Sequence, residues 1–190
     1  MRKETEQHPI YSKNVIEFVT VAAEYCSFLE KAEQYEIKPF VDKMTKLLPL
    51  LYLKAALLPD LVSASEDDMP QFVTEEEYEY EHGLLLEKIG RYDEYLEVFN
   101  SDMQYSDTPV VASISEDLTD MYQDLKDMVA NFQRADLNIM NDAILKCKDN
   151  FKEFWGQKSL NALRALHNVL YTSMEEDGEL DGEDVGIIDE

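Results

Sequence analysis

The segment Glu79-Tyr80-Glu81-His82 sets a carboxylate three residues ahead of an imidazole. On a helix this spacing puts Glu79 and His82 on adjacent turns of one face, as di-iron and di-manganese bundles present their ligands. Such centres need a second Glu-x-x-His and two further glutamates. His8 and His167 are preceded at that distance by Thr5 and Arg164, so no second copy exists, and a chain with 41 acids yields one match by chance. Glu79 and His82 are the metal candidates, set against a solvated acidic helix end. Asp177, Glu179, Asp181 and Gly182 match the opening of a calcium loop, but Asp184 and Ile188 stand where an apolar residue and a bidentate glutamate belong. An acidic tail accounts for them.

Cys26 and Cys147 fall on apolar faces and read as small core hydrophobes rather than nucleophiles. Pairing of either with His82 or His167 would be a matter for the fold. The six glycines are isolated and make no phosphate-cradling loop, so no cofactor is implied. A more specific pattern lies near the C-terminus. Asn161, Arg164, His167 or Asn168, and Tyr171 form a polar stripe at helical steps of three and four. These side chains together can read a carboxylate, a phosphate or a peptide amide. The plain alternative pairs Arg164 with one of the many acids and lays His167 on the bundle surface. Trp155, between Lys152 and Lys158, is a small-anion contact or, more simply, a lid on the bundle end. Among 11 tyrosines, Tyr78, Tyr80, Tyr92 and Tyr95 cluster, with acids beside them, in what read as two shorter helices. They suit a surface that receives a basic segment, or else the edge of the core.

The elements that must position these groups read as helices. Val15, Phe18, Val19, Ala22, Tyr25, Cys26 and Leu29 share one face of a helix over Asn14–Gln34, with Asn14 as cap and Glu17 as its capping-box partner. Pro39 opens a second helix, which Pro49 must kink or split. Leucines crowd all sides of Leu47–Leu61, which belongs at the centre of the bundle. Thr74 caps a third helix with Glu77 at N3 and Val73 stapling Tyr78, and Gly90 ends it. Tyr92, Tyr95, Leu96 and Phe99 mark a short fourth. Ser113 and Glu116 open a long helix, Ala135–Asp136 breaks it, the next runs to Gly156, and the last spans about Lys158–Ser173. No period-2 run stands out beside these patterns. The expected fold is all-α: a single-domain antiparallel bundle of six or seven helices over residues 12–173, with a lead-in at 1–11 and an acidic flexible tail at 174–190.

Composition bounds the partners. With 17 Lys+Arg against 41 Asp+Glu, the formal net charge is -24. The scattered bases cannot replace the counterions of a nucleic acid, nor hold an anionic membrane. Basic proteins or peptides are the partners such a field concentrates. With 45% apolar residues in 190, one domain can bury a core without disulfides. No apolar leader segment and no window of membrane-spanning length occur, which places the chain in a reducing, cytoplasmic setting.

Three stretches, "YSKNVIEFVTVAAEYCSFLE", "VASISEDLTDMYQDLKDMVANF" and "FWGQKSLNALRALHNVLY", resemble an uncharacterised bacterial family, domain-of-unknown-function family 5063. The similarity spans roughly Tyr11 to Tyr171. It implies an all-helical domain in a bacterial cell and brings no activity, ligand or catalytic residue. The expected function is a non-catalytic protein–protein interaction module that docks a basic protein or peptide. The alternatives are a small-ligand-binding or metal-dependent bundle enzyme built on Arg164, His167, Glu79 and His82, and a DNA mimic with phosphate-like acids.

Overall fold

The computed structural model describes residues 8–65, 69–97 and 110–174. The chain is mostly helical, with α1 (Lys13–Leu29), α2 (Ile37–Ala56), α3 (Glu75–Ile89), α4 (Ile114–Phe132), α5 (Leu137–Asn150) and α6 (Gly156–Asn168). Two three-residue strands, β1 (Glu94–Leu96) and β2 (Val111–Ser113), stand between α3 and α4. The expected acidic tail from residue 175 onward, Phe99 and the first residues of the lead-in lie outside the described residues. The end of that lead-in, Pro9–Tyr11, forms a 3-10 turn that buries Ile10.

The core follows the helical periodicity. Val15, Phe18, Ala22, Tyr25 and Leu29 of α1 meet Phe40, Met44, Leu48 and Leu51 of α2, and Leu118, Met121 and Leu125 of α4. Burying an aliphatic side chain contributes roughly 1.5–3 kcal/mol, so this face outweighs every single polar contact described below. Tyr25 satisfies its buried hydroxyl by donating to the Leu118 carbonyl at 2.8 Å. Trp155 is buried and donates to the Cys147 carbonyl at 3.2 Å, while Lys152 pairs with Asp149. Trp155 therefore closes the core and offers no anion site.

Local signals decide several boundaries. Thr74 Oγ1 accepts from Glu77 N at 3.1 Å, and Ser113 Oγ accepts from Glu116 N at 3.3 Å, so both expected caps form. Gly90 closes α3 at φ 56, and Ala135, at φ 57, separates α4 from α5. Asp136 caps α5 by accepting from Asn138 N and Ile139 N.

Other expectations change. Ser12, not Asn14, is the N-cap of α1; the Asn14 amide donates instead to the Leu57 carbonyl, and Glu17 reaches Lys54 at 2.7 Å. Pro49 leaves α2 continuous. Leu50, Leu53 and Leu57 are exposed, so only one side of the leucine-rich stretch is central. Gly156 does not end a helix: π-helical turns at Phe151–Trp155 and Val169–Ser173 join α5, α6 and the residues to Met174 into one uninterrupted helical run. The fourth short helix is replaced by a 3-10 turn, Gly90–Tyr92, and by β1. Six or seven separate helices are thus not what the described residues show.

β1 and β2 pair antiparallel, with Tyr95 opposite Ala112. Asp93 anchors this hairpin to α4. Its buried carboxylate accepts from Ser113 Oγ at 2.5 Å, Ser115 N at 2.7 Å and Ser115 Oγ at 3.0 Å. A carboxylate at a helix N-terminus meets both orphan amides and the positive end of the helix dipole.

Candidate functional site

The polar stripe of α6 divides into two faces. Asn161, Arg164 and Asn168 line a cavity of about 320 Å³, a volume suited to a small molecule or a few peptide residues. His167 and Tyr171 do not line it. They face solvent and pack on each other, with ring centroids 4.7 Å apart. The division is geometric: 161, 164, 165 and 168 share one helical face, and 167 and 171 belong to the next.

The opposite wall is made by residues the sequence did not single out for this purpose. Arg91 and Tyr92, from the 3-10 turn, and Glu94, Tyr95 and Leu96, from β1, face the α6 stripe. The Arg91 guanidinium lies 4.9 Å from the Tyr92 ring centroid, and its Nη2 donates to the Tyr92 hydroxyl at 2.9 Å. Tyr95 donates its hydroxyl to Asp117, which also receives Lys158 Nζ at 3.2 Å; Lys158 reaches Asp120 at 2.8 Å. Burial raises the carboxyl of Asp117, while the Tyr95 hydroxyl and the Lys158 ammonium pull it back down. These contacts, centred on the buried Asp117, hold the half-buried Tyr95 ring in the cavity wall. Ile114, Ala165 and Val169 supply apolar floor.

The charge of the cavity departs from that of the chain. The protein has four arginines, Arg2, Arg91, Arg134 and Arg164, and two of them line this cavity. Arg164 is exposed and has no ion pair or hydrogen bond among the described residues. The expected pairing of Arg164 with a nearby acid is therefore absent among them. Beside the Asn168 amide it presents a planar donor fork of the kind that suits a carboxylate or phosphate, while the Asn161 side chain is engaged by Gln157 and Tyr95. Glu94 lies in the wall as a single countercharge.

The other expected chemistry does not assemble. Glu79 is exposed, whereas the His82 ring is half-buried, 3.3 Å from Ser115 Oγ and stacked 6.4 Å from Tyr78. Among the described residues no group of three or more His, Cys, Asp or Glu is placed to hold a metal ion. Burial pushes the Cys26 and Cys147 thiols well above their ordinary range, so neither is a ready thiolate. Ser115, His82 and Asp93 do converge, but in the wrong order for a catalytic triad. Asp93 accepts from Ser115 rather than orienting the imidazole, and Ser115 is fully buried. They are a structural clamp.

A second acidic group stands between α1, α3 and α4. Glu81 is buried, and burial pushes its carboxyl up to about 7, with the charges of Glu30 and Glu77 adding to the shift and Lys126 opposing it. The Tyr122 hydroxyl bridges Glu77 at 3.0 Å and Glu30 at 3.2 Å, and Lys126 pairs with Glu30. Glu81, inside the Glu-x-x-His segment, is thus the inward residue that the motif concealed.

The helical order and this geometry define an acidic helical domain with a hairpin-walled cleft. The chain belongs to the family described as "Domain of unknown function (DUF5063)", whose model matches residues 9–172. A crystal structure of protein BF1032 from Bacteroides fragilis, a structural-genomics target, is similar, with TM-score 0.78 and 45% sequence identity over 86% of this chain and 96% of that one. No match was found among curated proteins. No helix among the described residues is long and apolar enough to cross a membrane.

Proposed function

We infer that the protein is a non-catalytic binding module of the bacterial cytoplasm whose cleft receives the oxyanion of a partner or ligand. One observation carries the reading: in a chain of net charge -24, Arg164 stands without an acid partner among the described residues, in a cavity that a second arginine also lines. A charge-assisted hydrogen bond is worth roughly 1.5–3 kcal/mol, so one such contact distinguishes an anionic ligand from its neutral analogue about tenfold or more. Tyr92, Tyr95 and Ile114 add apolar contact beside it. The acidic exterior supports steering of a basic partner towards the protein, and the cleft selects the anion that this partner carries. Both cysteines are free and buried, which suits a reducing compartment. Among the described residues no set of three or more metal-ligating groups assembles to favour the metal-dependent enzyme reading.

The test is a titration of the full chain with benzoate and with inorganic phosphate, followed by amide chemical shifts and calorimetry. Shifts at Asn161, Arg164 and Asn168 are expected, with at least tenfold weaker binding in Arg164→Gln. The better of the two anions identifies the oxyanion. Equal binding by Arg164→Gln, or no binding of either anion, overturns the reading.

A further inference from the structure

We propose that the cleft takes an extended peptide, which adds to β1 as a third strand and places its C-terminal carboxylate at Arg164. The proposal rests on the anion reading above and names the class of partner.

The register supplies the argument. Glu97 N donates to Val110 O and Ile114 N donates to Asp93 O, both at 2.9 Å, and Tyr95 stands opposite Ala112. In an antiparallel ladder the backbone groups alternate between the two edges. Residues 93, 95 and 97 therefore turn their amides and carbonyls towards β2, and Glu94 and Leu96 turn theirs to the outer edge. That edge has no strand partner among the described residues, since the sheet contains only β1 and β2. An unpaired edge is a template for another chain, and natural proteins block it unless it is used. Here β1 and α6 form facing walls of one cavity, so an added strand would lie between a strand edge and a helix.

The ends of the cleft select the peptide. Arg164, flanked by Asn161 and Asn168, matches a terminal carboxylate in a planar, bidentate contact. Glu94, exposed in the same wall, sets a negative charge beside the preceding peptide residues. Leu96 is 58% exposed and offers an apolar contact between the two. The partner this surface fits is a peptide with one or more basic residues upstream of an apolar C-terminus with a free carboxylate.

The experiment screens the full chain against a library of random hexapeptides with free C-termini. An enriched peptide is compared with its C-terminal amide, with forms methylated at single backbone nitrogens, and with benzoate as the simple carboxylate. The expected result is enrichment of basic–apolar sequences. The amide form, and methylation at alternate nitrogens, should each weaken binding about tenfold, since each removes a charged or backbone hydrogen bond. Leu96→Pro deletes one outward amide, a change that an edge strand tolerates. It should weaken the peptide about tenfold. Benzoate binding that depends on Arg164, without peptide enrichment or with indifference to backbone methylation, overturns strand addition and leaves the anion reading standing. Failure of both benzoate and peptide overturns both. If circular dichroism shows that Leu96→Pro disturbs the fold, the methylated peptides decide, because they leave the protein unchanged.

Discussion

At the residue scale, Glu81 is the most informative side chain outside the cleft. Its Oε2 is buried without a hydrogen-bond partner among the described residues. The folded protein holds its proton more tightly, at a pKa of about 7 against an ordinary value of 4.5. The folded state therefore binds more protons than the unfolded state between those two values. Stability from this group is fully present below about pH 4.5 and is lost as pH rises through about 7. Glu81→Gln should raise Tm at pH 8 by several degrees, since roughly 1–2 kcal/mol corresponds to about 2–8 °C in a chain of this size. The gain should vanish towards pH 4.5. A Tm difference that does not change between pH 5 and pH 8 would refute this account. Arg164 shows the converse: its exposure costs the fold nothing, so Arg164→Gln should leave Tm unchanged while anion binding falls.

At the element scale, two predictions concern how the long C-terminal run is built and how the hairpin is held. Gly156 follows a π-helical turn, and its amide donates to the Phe151 carbonyl. A Cβ there would lie 2.3 Å from that oxygen, so the backbone must shift. Gly156→Ala should destabilise by ~1–3 kcal/mol despite the better helix propensity of alanine, as overpacking does. Urea unfolding measures it; a stabilised variant would show that the π turn relaxes freely. Ser113 both caps α4 and donates to Asp93. Ser113→Ala should cost about 1–2 kcal/mol, the loss of a cap. It should also increase hydrogen exchange at Glu97 and Ile114, the amides that close the hairpin. Loss of stability without faster exchange would separate the cap from the hairpin.

At the scale of the whole molecule, the net charge of -24 opposes compaction. Like charges spread over one small domain repel one another, and salt screens them within about 10 Å at 0.1 M. Raising sodium chloride from 20 to 300 mM should increase Tm by a few degrees in a scanning calorimeter. The same salt should slow association of a basic partner, because steering weakens with ionic strength. A Tm that falls with salt would mean that the surface ion pairs, such as Lys43–Glu24 at 2.9 Å, outweigh the repulsion.

Local chemistry was legible in the sequence wherever a few neighbouring residues decide the outcome. The caps at Thr74 and Ser113, the stop at Gly90, the break at Ala135 and the core faces of α1 and α4 depend on spacing within one or two turns, and a one-dimensional pattern carries that information. The polar stripe of α6 was legible for the same reason. Its division was not, because only packing against β1 decides which side of the stripe meets a wall. The hairpin itself was hidden: Tyr92, Tyr95 and Leu96 match a helical face as well as a short strand, and pairing with Val111–Ser113 settles the matter. Glu81 looked like one acid among many until three helices closed over it. Asp93, Arg91 and Glu94 had no local signal at all, since their roles arise from contacts made across the chain. The sequence by itself determined a helical, acidic chain with its caps and apolar faces, because those follow from local periodicity and charge. The tertiary structure alone decided which arginines line the cleft and which carboxylate loses water, because both depend on what distant segments bring alongside.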